Sequence, residues 1–404
     1  MDFSLSESLQ QQLKWAEQFV QTNIVPIELK VLHSNFTDQK SEIASLQQQV
    51  KEQGLWAPHM PLAVGGAGFD LVALGLLSEV LGQSPLGHLI FGCQAPDAGN
   101  MELLHHFATP SQQQQWLQPL IAGTMRSCFG MTEPSNAGSN PTLLQTEAKL
   151  DGDHWVLNGR KWFTSSADGA GFCIVMAVTD KTAPHHQRAS MFLVPTDQPG
   201  YQRLRNIPVM GDVGSGYFSH SEIELDNCRI PAENLLGQQG DGFAMAQTRL
   251  GPGRIHHCMR WIGVAKRALN ELIAYTQQRQ ISRHAVLSDM QTVQTWAADS
   301  AAEIAAARAL VLQTAWQVQQ LGFKAVRSEV SMIKYFTANV LQTVLDRTVQ
   351  GMGALGMTDD TIIAFLYRHE RAARIYDGPD EVHKNVVAKH LWAEQSNALS
   401  SAQS

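Results

Sequence analysis

A carboxylate placed just before a helix is a candidate for acid–base chemistry, and this chain has one near its C-terminal end. Asp377 is followed by Gly378-Pro379-Asp380-Glu381 and then by a helix-periodic run. A carboxylate held beside a weakly acidic C–H or O–H group can remove its proton as a general base. Acids at this position also stabilise ordinary helix N-termini, so the segment by itself leaves both roles open.

A second pattern has the glycine spacing of a dinucleotide-binding loop. It reads Gly351-Met352-Gly353-Ala354-Leu355-Gly356. That function needs a strand before the glycines and a helix opening on them, because the pyrophosphate rests on the helix N-terminus. Here a long helix-periodic segment comes first. We therefore predict a turn between two helices at this position.

Three His-His pairs raise the question of a metal site: His105/His106, His185/His186 and His256/His257. Adjacent residues on a helix point about 100° apart, so such a pair does not readily coordinate a single metal ion. The five cysteines are scattered and odd in number, which is untypical of a disulfide framework or a CxxC metal centre. With no GxSxG motif either, we predict neither a metal site nor covalent acyl transfer.

The composition is that of a globular protein. The chain has 404 residues, 44% of them hydrophobic, and a net charge of −7 without long runs of one sign. This pattern does not favour a nucleic-acid or membrane partner. The first residues, MDFSLSESLQQQ, lack the basic and apolar regions of a signal peptide. We expect a cytoplasmic protein.

Two helix-rich segments flank a segment with the period of β-strands. We predict an α+β multidomain fold: an N-terminal α-helical domain over residues 1–128, a central antiparallel β domain over 129–238, a C-terminal four-helix bundle over 239–396 and a polar tail over 397–404. Asp151-Gly152 and Asn158-Gly159 tolerate the positive φ angles of two-residue turns, and we predict a hairpin at each.

Apolar stripes over 300–321 and 325–349 predict the long helices of the bundle. Gly251-Pro252-Gly253-Arg254 precedes another apolar stripe, so we place Arg254 at the start of a helix. Pro379 is expected at the first position of the last helix, where proline is favoured.

Several fragments of the sequence are informative together: CQAPDAGNMELL at 93–104, FGMTEPSNAGSN from 129, NGRKWFTSS from 158, LGPGRIHH at 250–257, VQGMGALG at 349–356 and ARIYDGPDEVHKNVVAKH at 373–390. In their order and spacing, the last five of these fragments resemble the acyl-CoA dehydrogenase family, and the resemblance extends from about residue 50 to residue 392. A closer resemblance is to the subgroup of family members ten and eleven and their bacterial relatives. It rests on CQAPDAGNMELL, LGPGRIHH and Asp377-Gly378-Pro379.

The resemblance implies FAD as cofactor, an acyl-CoA thioester as substrate and α,β-dehydrogenation as reaction. In this chemistry a carboxylate removes the α-proton while hydride leaves the β-carbon for flavin N5. Asp377 matches the family's catalytic acid, and Gly253 stands where some members carry that acid instead. The resemblance places FAD and the acyl chain between the β domain and the helical bundle.

The resemblance also assigns binding residues. Those for FAD are Phe129, Met131, Thr132, Gly138, Ser139, Phe163, Thr164, Ser165, Arg279, Gln350, Gly353, Ala354 and Glu381. Those for the substrate are Ser139, Gly251, Pro252, Gly253, Arg254 and Gly378. Phe163 stands where the family usually has tryptophan, and Ala354 replaces a family glycine. Arg279 and Gln350 match residues that reach a neighbouring subunit's cofactor, which implies a homodimer or homotetramer.

The resemblance further implies fatty acid metabolism, with an electron-transfer flavoprotein as electron acceptor. The subgroup points to acyl chains of medium or long length, including hydroxylated or phosphorylated ones. Two alternatives stay open: a flavin oxidase on the same scaffold, acting on acyl-CoA or nitroalkanes, and a non-enzymatic protein that binds acyl-CoA or a partner.

Overall fold

The computed structural model describes residues 5–402, apart from the side chains of Leu250, Pro252, Asn397, Ala398, Ser400, Ser401 and Ala402. The first part of the chain is helical, as predicted. Its helices are α1 (Glu7–Phe19), α2 (Glu28–Leu32), α3 (Lys40–Glu52), α4 (Leu71–Leu81), α5 (Gly87–Ile90), α6 (Asp97–Phe107), α7 (Pro110–Gln112) and α8 (Gln118–Ala122).

Short polar side chains cap the start of two of these helices, α1 and α4. Ser6 Oγ accepts the N–H of Leu9 at the start of α1, and Asp70 Oδ1 accepts the N–H of Ala73 at the start of α4. Such caps satisfy N–H groups that have no partner within the helix. The apolar stripes of the sequence then become buried faces, as with Ala16 and Phe19 in α1.

The middle of the chain is a β domain. Its strands are β1 (Ser127–Gly130), β2 (Glu147–Asp151), β3 (His154–Ser165), β4 (Phe172–Val178), β5 (Ala189–Pro195), β6 (Tyr201–Asn206), β7 (His220–Pro231) and β8 (Leu235–Leu236). Within the described residues they form one sheet in the order β6-β7-β3-β2-β4-β5-β8, with β1 added beside β4. Most pairs are antiparallel, as predicted, but β4 pairs in parallel with β1 and β2.

One of the two predicted hairpins is present. β2 and β3 are joined at Asp151-Gly152, where Gly152 has a φ of +63°. The hairpin predicted at Asn158-Gly159 is wrong, because β3 continues through it as a bulge with a register shift against β7. The Asn158 side chain accepts the N–H of Asn227 on β7, and a Cβ at Gly159 would lie 2.5 Å from Thr146 Oγ1. Neighbouring strands therefore hold this pair in the sheet.

The last part of the chain is helical again. It contains α9 (Gly242–Gln278), a small hairpin of β9 (Gln280–Ser282) and β10 (Ala285–Val286), α10 (Gln291–Leu321), α11 (Arg327–Met352), α12 (Ile362–Glu370) and α13 (Asp380–Ala402). The long helices predicted at 300–321 and 325–349 are confirmed as α10 and α11. α13 also includes residues 397–402 of the predicted polar tail, whose last two residues lie outside the described part.

The glycine pattern at 351–356 is a helix-to-helix connection, as predicted: α11 ends in it and a 3₁₀ turn, Gly353–Met357, follows. The start predicted near Arg254 is wrong, because α9 begins earlier, at Gly242. Met245 and Ala246 are buried and extend its apolar face upstream, and packing outweighs the weak helix propensity of Gly-Pro-Gly. α13 starts at Asp380, so Pro379 precedes the helix instead of opening it.

The chain forms two compact units. One contains the residues up to Leu29, Asp70–His88 and the chain from Gly251 onward. The other contains Lys30–Phe69 and Leu89–Leu250, including the large sheet and a core that includes Trp155, Phe192 and Ile223. Among the helices in the described residues, none is both long and apolar enough to cross a membrane.

Candidate active site

In the β unit, a buried ion pair organises the loop that follows β1. The Lys161 side chain, on β3, is fully buried, and its Nζ lies 2.8 Å from Glu133 Oε1. The Glu133 carboxylate also accepts the backbone N–H groups of Gln145 (2.7 Å) and Thr146 (2.8 Å). Lys161 Nζ donates a further bond to the carbonyl of Met131, at 3.0 Å. This pair thus joins both ends of the loop to the sheet.

Burial and pairing act in opposite directions on these two groups. Burial opposes ionisation of Glu133, but the charge and hydrogen bonds of Lys161 and Thr146 outweigh it and lower the pKa of Glu133 to about 2. Burial lowers the pKa of Lys161 to about 8, and the neighbouring Glu133 limits that shift. Both groups are therefore charged at neutral pH.

The loop itself is anchored to the strand that carries the predicted aromatic residue. Thr132 Oγ1 donates to the carbonyl of Trp162 at 2.7 Å, and the Trp162 N–H donates to the Thr132 carbonyl at 3.1 Å. The single hydroxyl proton of Thr132 is thus used within the protein, so this hydroxyl is not a candidate donor to a ligand. A Cβ at Gly138 would lie 3.0 Å from Thr132 Cγ2, so the chain runs close here.

A small open pocket, with room for about one water molecule, lies in this loop. Its walls include three of the predicted flavin-binding residues. The lining residues are Met131, Thr132, Glu133, Asn136, Ala137, Gly138, Asn140, Pro141 and Leu144. Ser139 is exposed and is not part of this lining.

The three neighbouring residues predicted to contact the flavin ring lie at the end of β3. Phe163 lies at a bulge with a φ of +49°, and the residue is 44% exposed. The hydroxyl of Thr164 is buried, and no hydrogen-bond partner for it is found in the described part of the chain. Ser165 Oγ lies 2.8 Å from Nδ1 of His220. The exposed aromatic side chain of Phe163 suits a planar ring such as isoalloxazine, whereas the Thr164 hydroxyl is enclosed by the protein.

Phe129 of β1 contacts a cation in the same unit. The guanidinium carbon of Arg249 lies 4.4 Å from the centre of the Phe129 ring, a cation–π geometry. Phe129 therefore packs against Arg249 instead of lining the loop pocket.

In the helical unit, Asp377 occupies a constrained turn between α12 and α13. Its φ is +53°, and that of Gly378 is +103°. A positive φ at a non-glycine residue costs roughly 1–3 kcal/mol, so the surroundings must hold it. A Cβ at position 378 would lie 2.6 Å from His383 Nε2, which explains why glycine is needed there.

Among the side chains that the structure describes, Arg254 and His383 contact the backbone of Asp377 and His257 contacts its carboxylate. Arg254 Nε and His383 Nε2 both donate to its carbonyl oxygen, at 3.2 and 3.1 Å. His257 Nε2 lies 3.4 Å from Asp377 Oδ2. Burial, and then the charge of Arg254, lower the pKa of His383 to about 4, so His383 is neutral and carries its proton on Nε2. Arg254, predicted at the substrate site, is thus brought to the predicted base.

The residue before the base is also fixed. The Tyr376 hydroxyl accepts hydrogen bonds from Trp261 Nε1 and Arg260 Nη2, each at 2.9 Å. Arg260 in turn forms a two-pronged ion pair with Glu370, at the end of α12. Burial opposes charge on Arg260, but the Glu370 carboxylate outweighs it and raises the pKa of the guanidinium. α9 and α12 together therefore hold the segment that carries Asp377.

Asp380, the first residue of α13, is buried and lies among several polar side chains. Asp380 Oδ2 accepts from Arg374 Nε (2.8 Å) and Asn339 Nδ2 (2.9 Å), while Lys334 Nζ lies 3.7 Å from Oδ1. Burial lowers the pKa of Lys334. These contacts keep the end of the Asp377 turn in place.

The other residues predicted for FAD in the helical unit lie on exposed surface. Arg279 follows α9, Gln350 lies near the end of α11, and Gly353 and Ala354 lie in the 3₁₀ turn. Glu381, in the first turn of α13, is exposed as well. Gly251 and Gly253 lie within α9, and the side chain of Pro252 is outside the described residues.

Sequence reasoning missed the residues that support these sites: Lys161, Glu133, His383 and His257. One signal was available for His257, because it follows Arg254 by three residues and so lies on the same face of a helix. Sequence reasoning considered the His256/His257 pair only as a metal site. In the structure the two histidines contact different partners. His256 Nδ1 lies 2.7 Å from Ser78 Oγ, whereas His257 faces Asp377.

Comparison with protein families gives three matches in chain order. Residues 6–124 match the domain described as "Acyl-CoA dehydrogenase, N-terminal domain". Residues 128–228 match "Acyl-CoA dehydrogenase, middle domain", and residues 240–392 match "Acyl-CoA dehydrogenase, C-terminal domain". Together these matches cover most of the chain.

Two curated relatives are similar over most of the chain. "Probable acyl-CoA dehydrogenase FadE2" of Mycobacterium tuberculosis is 42% identical over 363 residues, which cover 89% of this chain and 88% of that protein. "Acyl-CoA dehydrogenase family member 10" of Mus musculus is 39% identical over 408 residues, covering 97% of this chain but only 38% of that protein. The chain thus spans well under half of the mouse protein.

Solved structures show the same similarity. A chain from a structure described as an electron transferring flavoprotein of Acidaminococcus fermentans is 29% identical, with a TM-score of 0.83 over 97% of this chain and 99% of that one. A glutaryl-CoA dehydrogenase of Mycobacterium smegmatis, solved in complex with FADH2, is 25% identical, with a TM-score of 0.80 over 96% of this chain and 95% of that one.

Proposed function

Because the chain belongs to the acyl-CoA dehydrogenase family and is therefore an FAD-dependent oxidoreductase, we propose that it catalyses α,β-dehydrogenation of an acyl-CoA thioester. The observation that carries this proposal is the geometry of Asp377. Its carboxylate is partly buried beside His257, and its backbone is held by Arg254 and His383. Such a constrained carboxylate suits a general base.

In the proposed reaction, Asp377 takes the α-proton of the thioester. Bound FAD supplies the acceptor for the hydride that leaves the β-carbon. The turn conformation of Asp377 fixes the direction of its Cα–Cβ bond, and its backbone N–H is the proposed donor to the thioester carbonyl. A donor aimed at that oxygen stabilises the negative charge that develops when the α-proton leaves.

We propose that both units contribute contacts to FAD. In the β unit, the loop after β1 and Phe163, Thr164 and Ser165 would contact the flavin ring, supported by the exposure of Phe163. In the helical unit, the exposed Arg279 and Gln350 would reach the cofactor of a second subunit in a homodimer or homotetramer. The remaining contacts assigned to FAD are Phe129, Gly138, Ser139, Gly353, Ala354 and Glu381.

For the substrate, we propose contacts from Ser139, from the α9 segment 251–254 and from Gly378. We propose acyl chains of medium or long length, including hydroxylated or phosphorylated ones, as the substrates. An electron-transfer flavoprotein is the proposed electron acceptor, supported by the similarity to the Acidaminococcus fermentans structure. We also propose a role in fatty acid metabolism, a cytoplasmic location and domain boundaries after residues 128 and 238.

Anaerobic titration with a panel of acyl-CoAs tests this function. A dehydrogenase should lose its flavin absorbance on mixing with a good substrate, and electron-transfer flavoprotein should restore it. Hydrogen peroxide formed rapidly in air would indicate a flavin oxidase instead. A protein that takes up no FAD on reconstitution would contradict the proposal and favour a binding protein.

A further inference from the structure

His257 lies beside the proposed base, and the mechanism above gives it no role. Its Nε2 is 3.4 Å from Asp377 Oδ2, and the two side chains are only 16% and 19% exposed. Of the described side chains that contact Asp377, Arg254 and His383 bond to the backbone carbonyl, whereas His257 faces the carboxylate. The contact is thus directed at the group that would react.

The imidazole of His257 is held by aromatic rings on two sides. It stacks on Trp261 at an angle of 22°, with 6.2 Å between ring centres, and meets the edge of Tyr376 at 5.5 Å. Tyr376 is itself fixed by the hydrogen bond from Trp261 Nε1. Arg254, His257 and Trp261 lie on one face of α9, because residues three and four apart are neighbours on a helix. This face therefore presents the imidazole in a defined direction.

We propose that His257 is a positioning residue for Asp377: its Nε2–H holds the carboxylate in the orientation that reaches the α-proton. The inference rests on the proposed function. An aspartate side chain that rotates freely spends much of its time in unproductive directions, and a displacement near 1 Å can reduce a rate by roughly 10²-fold. A donor on a locked ring restricts that rotation without touching the substrate.

Three variants separate positioning from packing. His257→Phe keeps a ring against Trp261 but removes Nε2, and we expect kcat to fall on the order of tenfold while KM and FAD content change less than about twofold. His257→Gln offers an amide N–H and should recover much of the lost kcat. His256→Gln is the matched control, because His256 pairs with Ser78, and its kcat should stay near that of the wild type.

A second measurement does not depend on turnover. In protein with ¹³C-labelled histidine Cε1, the NMR resonance that is missing in His257→Gln belongs to His257. Asp377→Asn should move this resonance and leave that of His256 in place. A His257 resonance that does not move, or a His257→Phe enzyme with wild-type kcat, overturns the inference. If Asp377→Asn moves the His257 resonance but no acyl-CoA reduces the flavin of the wild-type protein, only the proposed function is refuted.

Discussion

Lys161 and Glu133 form an ion pair whose side chains are 0% and 3% exposed, with Nζ 2.8 Å from Oε1. Glu133 also accepts the N–H groups of Gln145 and Thr146, and Lys161 bonds to the carbonyl of Met131. One buried contact thus ties β3 to both ends of the proposed flavin loop. Removing either partner would leave the other as an uncompensated buried charge, which is strongly destabilising.

This pair should make the protein sensitive to acid. The pKa of Glu133 is lowered from its usual 4.5 to about 2 in the folded state. Its contribution to stability is therefore complete above pH 4.5 and is lost as the pH falls toward 2. A shift of this size corresponds to about 3 kcal/mol. Lys161, with a pKa of about 8, stays protonated throughout this range.

Urea unfolding of the wild type and Glu133→Gln at pH 7, 4.5 and 3 checks this expectation. The variant should be less stable at pH 7, and the difference between the two proteins should narrow toward pH 3. A difference that stays constant with pH would show that another group carries the acid sensitivity.

Asp377→Asn should bind FAD and substrate yet fail to bleach when an acyl-CoA is added anaerobically. Asparagine and aspartate both tolerate the positive φ of this position, so the variant changes the chemistry with little change to the turn. Rapid bleaching of the Asp377→Asn flavin by a good substrate would remove this residue from the mechanism.

Asp377→Glu should retain only partial activity. The added methylene moves the carboxylate by about 1 Å, which can cost on the order of 10²-fold in rate. Glutamate is also less favoured than aspartate at positive φ. Stopped-flow measurement of flavin reduction gives the rate directly. A rate equal to that of the wild type would show that the length of the side chain is unimportant.

Arg254→Ala should lower kcat/KM for acyl-CoA by roughly tenfold or more, equivalent to about 1.4 kcal/mol. The reason is the bond from Arg254 Nε to the carbonyl of Asp377, which helps to hold the turn of the proposed base. Steady-state kinetics of Arg254→Ala and Arg254→Lys test this, and lysine should restore the activity only in part, since it lacks the planar donor group. Wild-type kinetics in the alanine variant would show that the bond from Arg254 to the Asp377 turn does not contribute to catalysis.

Arg279→Ala should lose FAD and lower the melting temperature together. Arg279 is exposed at the end of α9, as expected of a side chain that binds the cofactor of a neighbouring subunit. Ligand binding and assembly stabilise the folded state by mass action, so both readouts should fall in parallel. Arg283→Ala, which changes another exposed arginine in the same hairpin region, is the matched control. Full FAD content in Arg279→Ala would show that Arg279 is not the residue that binds the cofactor of a neighbouring subunit.

The sequence alone was sufficient for features that depend on neighbouring residues. The apolar stripes of α10 and α11, the turn at Asp151-Gly152 and the helix-to-helix connection at 351–356 follow from local periodicity and turn chemistry. The family also followed from the sequence, because several fragments occurred in one order and spacing. These signals are local, or depend only on order along the chain.

Tertiary structure decided the features whose partners lie far apart in the sequence. Asn158-Gly159 has the local chemistry of a hairpin, but its contacts with Asn227 and Thr146 keep it inside β3 as a bulge. The buried Glu133–Lys161 pair and the contact between His257 and Asp377 arise in the same way. Periodicity describes which face of an element is buried, but not which side chain of another element it meets. The surroundings of the proposed base were therefore determined by packing between α9 and the turn before α13.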